Sequence, residues 1–168
     1  MQFAQKSLGS FVRYLLVAVA MVSVMPVLSL FTGTALAAPG VTIPDDNLRA
    51  ALERALRKGE GAPITEAELA GLTEFTATDK SITDLTGIEF CTNLQDLRIN
   101  HNTISDISAL ASLTDLQELS LSGNSISDIS ALAGLTKLRG LRLKGNELNS
   151  AAYATHIPAL EANGTVVI

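Results

Sequence analysis

The sequence predicts an α/β solenoid, in which a short array of stacked repeats lies between a helical cap and a closing helix and strand. The main observation is a 22-residue stretch written twice in succession, over residues 91–112 and 113–134. A looser copy precedes it at residues 69–90, and a truncated copy follows at 135–149, which gives about 3.5 repeats. Self-similarity at a short fixed period is the sequence signature of a solenoid.

Aligning the copies places apolar residues in columns that recur at the same spacing. The first column holds Leu72, Leu94, Leu116 and Leu138; the next holds Phe75, Leu97, Leu119 and Leu141; the third holds Ala77, Ile99, Leu121 and Leu143. Alternation with polar residues around Leu97 and Ile99 predicts a short strand that is buried on one side. One turn cannot bury its own apolar residues, so neighbouring copies are expected to stack and share a core.

A column of asparagines follows each predicted strand, at Asn102, Asn124 and Asn146. A buried amide offers donors and acceptors that can pair with the backbone of adjacent turns. Left unpaired, the same amide would be costly. These residues are therefore predicted to form a structural ladder.

The combined pattern, LxxLxxLxLxxNxIxDIxxL, resembles the leucine-rich repeat in the 22-residue bacterial class typified by internalins. The resemblance covers about residues 41–168. It implies that each copy gives one strand to a parallel sheet on the concave face, with turns and short helical segments on the outside. The first copy departs from the pattern at Ala77 and Lys80, as expected for a repeat beside a cap.

Residues 1–37 are predicted to be a secretory signal peptide. Lys6 and Arg13 give a basic start, an apolar run covers residues 14–31, and Ala-Leu-Ala at 35–37 supplies a small-residue cleavage motif. The alternative is an uncleaved membrane anchor, because the apolar run is long for a signal peptide. Pro26 within the run favours cleavage, which predicts a secreted or cell-surface protein.

Charge and composition exclude several classes of partner. Cleavage would remove Lys6 and Arg13 and take the formal charge from −5 to −7. Such an acidic chain is poorly suited to nucleic acid or to an anionic lipid surface. Aromatic residues are 4% of the chain, which leaves few platforms for base stacking. No nucleic acid, no membrane after cleavage, and a monomeric state are expected.

Residues 38–68 are predicted to form a linker and a helical cap that covers the apolar end of the array. Asp45 is expected to cap a helix that Gly59 ends. Glu53 and Arg57 are four residues apart and are expected on the outer face of this helix.

Two further cap elements have local signals. Thr65 and Glu68 form a capping box for a second short helix. Residues 150–168 are predicted to form the C-terminal cap, with a helix interrupted near Pro158 and a last strand at 166–168 that joins the sheet edge.

The sequence lacks a catalytic constellation, so a protein without enzymatic activity, metal or cofactor is predicted. Cys91 occupies a leucine column and is expected to be a buried hydrophobe. His101 stands where the next copies have glycine, which predicts a turn residue. The aspartate column offers carboxylates for a calcium site, but each lies at a turn, where aspartate bonds its own backbone, and calcium needs several oxygens that converge in one site. The aspartates are Asp84, Asp106 and Asp128.

The predicted function is protein–protein interaction through the concave sheet face. The polar positions that flank the buried leucines should face outwards, because side chains alternate along a strand. The candidate partner-binding residues are Asp96, Arg98, Asn100, Glu118, Ser120, Ser122, Arg142 and Lys144. The charges are expected to be sorted, with acidic residues along one edge (Glu74, Asp96 and Glu118) and a basic cluster towards the far end (Arg98, Arg142 and Lys144). The alternative is a structural protein of the envelope or an extracellular layer, without a dedicated ligand.

Overall fold

A computed structural model describes residues 40–168 as a stack of turns between two caps. The predicted signal peptide, and its alternative as a membrane anchor, lie outside the described residues. Across the described part of the chain, none of the helices combines the length and apolarity that crossing a bilayer demands.

Each repeat contributes one three-residue strand to a five-stranded parallel sheet. The strands are β1 (Glu74–Thr76), β2 (Asp96–Arg98), β3 (Glu118–Ser120), β4 (Gly140–Arg142) and β5 (Val166–Val167), paired in that order. Phe75 aligns with Leu97, and Leu97 aligns with Leu119, so each step along the sheet equals one repeat. The predicted solenoid is confirmed.

Short 3-10 turns, at Ile88–Phe90, Ser108–Ser112 and Ser130–Gly134, lie on the convex side of the first three repeats. Each turn buries one apolar residue, which is Ile88, Leu110 or Leu132. Because 3-10 segments are compact and short, they return the chain to the next strand within the 22-residue period.

The apolar columns meet in one continuous core that runs the length of the array. Leu97, Leu119 and Leu141 are fully buried, as are their neighbours Ile99 and Leu121. Burial of each such side chain contributes about 1.5–3 kcal/mol relative to exposure. The core is therefore shared between turns, and no repeat could hold its fold alone.

The predicted asparagine ladder is present, and each amide connects adjacent turns. Asn124 donates from Nδ2 to the carbonyl oxygens of Ile99 (3.0 Å) and Leu121 (2.9 Å), and its Oδ1 accepts from the Ile104 N–H (3.2 Å). Asn102 and Asn146 make the equivalent contacts one turn before and one turn after. Since these amides lie beside the core, the ladder fixes the spacing of the turns.

Helix α1 (Asp46–Ala55) covers the N-terminal end of the core with Leu48, Ala51 and Leu52. Asp45 caps it as predicted, since Oδ1 accepts from the N–H groups of Asn47 (3.0 Å) and Leu48 (2.9 Å). The second oxygen, Oδ2, accepts from Thr83 N–H (2.8 Å) and from the Thr83 hydroxyl (2.9 Å). One carboxylate thus joins the cap to the first repeat.

The end of α1 differs from the prediction. Arg57, at φ 56°, occupies the left-handed position after the helix, and its N–H bonds Arg54 while Lys58 N–H bonds Glu53. These bonds form a Schellman motif, so the helix ends before Gly59. Arg57 then leaves the helical path, and Glu53 is buried and paired with Arg49 at 3.1 Å. The expected outer-face position of Glu53 was wrong.

Helix α2 (Glu66–Ala70) begins with the predicted capping box. The Glu68 backbone donates to the Thr65 hydroxyl (3.3 Å), and Thr65 N–H donates to Glu68 Oε2 (2.8 Å). The Lys58 ammonium donates to the other Glu68 oxygen at 2.5 Å. Through Lys58, the loop after α1 is tied to the start of α2.

The C-terminal cap consists of a π-helical turn (Ala152–His156), helix α3 (Ile157–Ala162) and β5. Pro158 is the second residue of α3 and follows the π turn directly, so the predicted interruption near Pro158 takes the form of that π turn. Thr165 is buried and donates its hydroxyl to the Leu138 carbonyl at 2.8 Å. This bond anchors the start of β5 against the fourth repeat.

Candidate protein-binding face

The concave face is the side of the sheet opposite the core, and the strand register arranges its side chains in two rows. Glu74, Asp96, Glu118, Gly140 and Val166 share the first row. The second row holds Thr76, Arg98, Ser120 and Arg142. The predicted acidic edge therefore exists, but it ends at Gly140.

Arg98 and Asp96 neutralise each other within strand β2. The guanidinium donates from Nη2 to Asp96 Oδ2 (2.6 Å) and from Nε to Oδ1 (3.0 Å). A two-point contact of this kind holds both planar groups in place. Arg98 was predicted to join a basic cluster with Arg142 and Lys144. The structure corrects this, because its charge is already compensated by the residue two positions earlier.

Asn100, Ser120 and Ser122 form an internal network between the second and third repeats. Asn100 Oδ1 accepts from the Ser120 hydroxyl at 2.7 Å and from the Ser122 N–H at 2.9 Å. Ser120 is 5% exposed. The prediction that Ser120 faces a partner was wrong, because adjacent turns close over its short side chain.

Glu118 and Gly140 are neighbours in the first row of the concave face. A β-carbon placed on Gly140 would overlap Oε2 of Glu118. The carboxylate therefore occupies the space that a side chain on β4 would need. Within residues 40–168, Glu118 has no basic group within ion-pair distance.

Arg142 and Lys144 are both exposed on the concave side of β4 and its continuation. Among the described residues neither forms an ion pair, unlike Arg49, Lys58, Arg98 and Lys137. Of the eight predicted partner-binding residues, these two are the basic ones without an ion pair in the described chain, and Glu118 is the acidic one.

Strand β5 extends the face with residues that were absent from the predicted set. Val166 is 62% exposed and Ile168 is 65% exposed, and with Tyr153 they are the exposed large hydrophobic residues of the described chain. Val166 pairs with Gly140, so it lies at the end of the first row. Val166 and Ile168 are two positions apart, and residues at that spacing in an extended segment lie on the same side. The sequence therefore contained a signal that both face the concave side.

The aspartate column on the convex side is explained by turn geometry. Oδ1 of Asp106 accepts from Ser108 N–H at 2.8 Å, and Asp128 does the same with Ser130. The hydrogen bond from the Ser108 backbone lowers the pKa of Asp106. Within the described chain, no three His, Cys, Asp or Glu side chains come together as a metal site.

Cys91 and His101 also have the local roles that their columns predicted. Cys91 is fully buried, and burial together with the Glu89 charge raises the pKa of its thiol to about 12. His101 is at φ 53°, and Gly123 and Gly145 occupy the same left-handed position at φ 67° and 77°. A buried thiol whose protonated form is favoured in this way is a poor nucleophile.

Comparison with known proteins agrees with this architecture. Residues 92–148 match the family model described as leucine rich repeat. An internalin, InlF, of Listeria monocytogenes is 33% identical with a TM-score of 0.66, over 71% of this chain and 36% of that one. Internalin C2 of the same species is 29% identical with a TM-score of 0.68, over 79% of this chain and 58% of that one. No curated protein matches the chain.

The repeat pattern, the open parallel sheet and the family match define a leucine-rich repeat protein. Within that class the chain is internalin-like. It spans about a third to three-fifths of the length of the two internalins, at 36% and 58%.

Proposed function

We propose that this protein is exported and binds a protein partner through its concave face, without enzymatic activity. The observation that carries the proposal is that some polar side chains on that face bond one another, whereas others have no partner within the described residues. Two pairs of side chains bond each other: Arg98 with Asp96, and Ser120 with Asn100. Arg142 and Lys144 stay exposed beside Val166, so one part of the face retains capacity for an external contact.

The internalin-like class supports an interaction role in general, since leucine-rich repeat arrays present extended concave surfaces. The size of the face limits the interaction. Five short strands offer a small surface, so we expect a modest interface or one continued by other parts of a partner. The competing function is a structural unit in an envelope or extracellular layer, without a dedicated ligand.

Site-specific photo-crosslinking in the native organism distinguishes these functions. A photoreactive residue replaces Thr76 or Lys144 on the concave face, or Ala111 on the convex face as a matched control, since all three are exposed. We expect discrete adducts from the concave positions and none from Ala111. Equal adducts from both faces would support the structural role, and the absence of adducts from Thr76 and Lys144 would overturn binding by this face.

Export has its own test. The signal-peptide motif predicts that the secreted or surface-bound protein begins near residue 38. N-terminal sequencing of the protein from the extracellular and membrane fractions decides between cleavage and anchoring. A chain in the membrane fraction that still carries Met1 would contradict cleavage.

A further inference from the structure

We propose that the C-terminal half of the concave face binds an acidic segment of a partner protein, in which an apolar side chain accompanies the carboxylates. The site consists of Arg142 at the end of β4, Lys144 just after it, Val166 in β5 and Ile168 just after that strand. This inference rests on the proposed function and specifies the chemistry of the partner.

Arg142 is free to bind a partner because its own strand lacks the carboxylate that pairs with Arg98 on β2. On β2, Arg98 is neutralised by Asp96, two positions earlier on the same side of the strand. The register carries Asp96 to Glu118 and then to Gly140, so the residue two positions before Arg142 is a glycine. Arg142 thus lacks the carboxylate that occupies Arg98, and a carboxylate from outside can take its place.

Glu118 is the nearest acidic residue along the first row. Its carboxylate lies over Gly140, yet no ion pair within 4.0 Å joins it to Arg142 or to Lys144. Lys144 follows Arg142 by two residues and is also exposed on the concave side. Two cations therefore stand at the spacing of alternate residues, which matches two acidic side chains on an extended segment.

The apolar half of the site lies directly beside these cations. Val166 pairs with Gly140, and Ile168 continues that register beside Arg142, since its N–H bonds Leu141 and its carbonyl accepts from Leu143. Their exposures of 62% and 65% leave apolar surface next to charged groups. Apolar surface of this kind gains from contact with a partner side chain, whereas exposed ion pairs mainly set orientation.

A protein segment fits this site better than an anionic membrane. Membrane-binding clusters use about four to eight basic residues, whereas this site has two. Residues 38–168 also carry a formal charge of −7 after loss of Lys6 and Arg13, so the molecule as a whole is repelled by anionic lipid.

Selection from a random peptide display library, on the full-length protein expressed and purified, tests the assignment. We expect enriched peptides with Asp or Glu next to Leu, Ile, Val or an aromatic residue. Their affinity should fall about tenfold or more in Arg142→Glu/Lys144→Glu and about threefold or more in Val166→Ser. Arg54→Glu/Lys80→Glu is the matched control, because it makes the same charge change at exposed residues outside the strands.

Enrichment of basic or neutral peptides, or equal affinity in both double variants, would overturn the assignment. Binding of phosphatidylglycerol vesicles that depends on Arg142 and Lys144 would show that the site binds an anionic membrane and not a protein segment. The proposed function fails separately. If photo-crosslinks from Thr76 persist in Arg142→Glu/Lys144→Glu, the concave face still binds a partner and only the acidic-segment site is wrong.

Discussion

The imidazole of His101 lies over Gly123 in the next turn, so that a β-carbon on Gly123 would be 2.6 Å from Nδ1. Glycine is therefore required at position 123 for two reasons: the backbone is left-handed, with a φ of 67°, and the neighbouring ring leaves no room for a β-carbon. Gly145 has a similar φ of 77°, but its nearest contacts lie at an ordinary 3.5 Å. Alanine substitutions at the two positions therefore distinguish the cost of a left-handed backbone from the cost of steric overlap.

Gly145→Ala should lower the free energy of unfolding by about 1–2 kcal/mol, the cost of a left-handed backbone for alanine. Gly123→Ala should cost about 1 kcal/mol more, because the methyl group also displaces His101. Urea denaturation measures both values. In a His101→Gly background the extra cost should disappear, and an unchanged cost there would show that the ring exerts no constraint.

Asp45→Ala should destabilise the protein by about 2–3 kcal/mol, because it removes both the cap of α1 and the link to Thr83. Asp45→Asn keeps an acceptor and should cost less. Hydrogen exchange across residues 46–55, together with urea denaturation, measures the loss. Asp46→Ala is the matched control, since Asp46 is exposed, and a similar loss in this variant would contradict the role of Asp45.

The N-terminal cap should weaken in acid. The hydrogen bond from Lys58 and those from Thr65 lower the pKa of Glu68 from 4.5 to about 2. Because the folded state favours the ionised form, its stabilisation is complete above pH 4.5 and is lost as the pH falls towards 2. Burial alone would raise the pKa of Asp45, but the hydrogen bonds from Thr83, Leu48 and Asp84 together outweigh it and lower the pKa, which acts in the same direction as the shift at Glu68.

Glu68→Gln tests this dependence, because glutamine cannot ionise. Circular dichroism melting between about pH 2 and 5 should show a smaller acid-induced loss of stability in this variant than in the parent protein. Glu66→Gln, on the exposed side of the same helix, should keep the parental profile. Identical profiles for all three proteins would rule out Glu68 as a source of the acid dependence.

Asn124→Ala should destabilise the protein by about 2–4 kcal/mol, since the Ile99 and Leu121 carbonyls and the Ile104 N–H lose their partner inside the array. The exposed Asn93 bonds a single carbonyl, that of Ala70, and Asn93→Ala should cost less than about 1 kcal/mol. Equal losses in the two variants, measured by urea denaturation, would mean that the ladder does not fix the turns.

Arg57→Gly should raise the free energy of unfolding by about 0.5–1 kcal/mol, because the residue after α1 is left-handed and glycine adopts that backbone without strain. Arg57→Ala serves as the control, since it removes the same side chain and keeps the strain. Thermal melting compares the variants, and a gain in Arg57→Ala as large as in Arg57→Gly would attribute the effect to charge.

The features that the sequence predicted well are those that repeat or that depend on neighbours in the chain. Leu97, Leu119 and Leu141 recur at one period, and a shared core is the physical solution to that pattern. Thr65 and Glu68 of the capping box are three positions apart, so its two hydrogen bonds depend only on residues that are close in the chain.

The features that were missed depend on distances between turns or on segments outside the repeat. Ser120 is buried, and its hydroxyl bonds Oδ1 of Asn100, which belongs to the preceding turn. The Asp96–Arg98 pair required knowing the side-chain conformations on one strand. Val166 and Ile168 lie beyond the periodic region, so their position on the concave face follows only from the pairing of β5 with β4.

Cys91 is the single cysteine of the chain, and it lies inside the core with its thiolate strongly disfavoured. A thiol-reactive dye can therefore modify it only when the stack around the second repeat separates. The rate of labelling therefore measures how readily the stack opens in the protein without any substitution. A partner that binds the concave face stabilises the closed stack, so the labelling rate should fall by a factor of about 1 + L/Kd, where L is the concentration of free partner. An unknown partner can therefore be detected through the labelling kinetics of one buried sulfur.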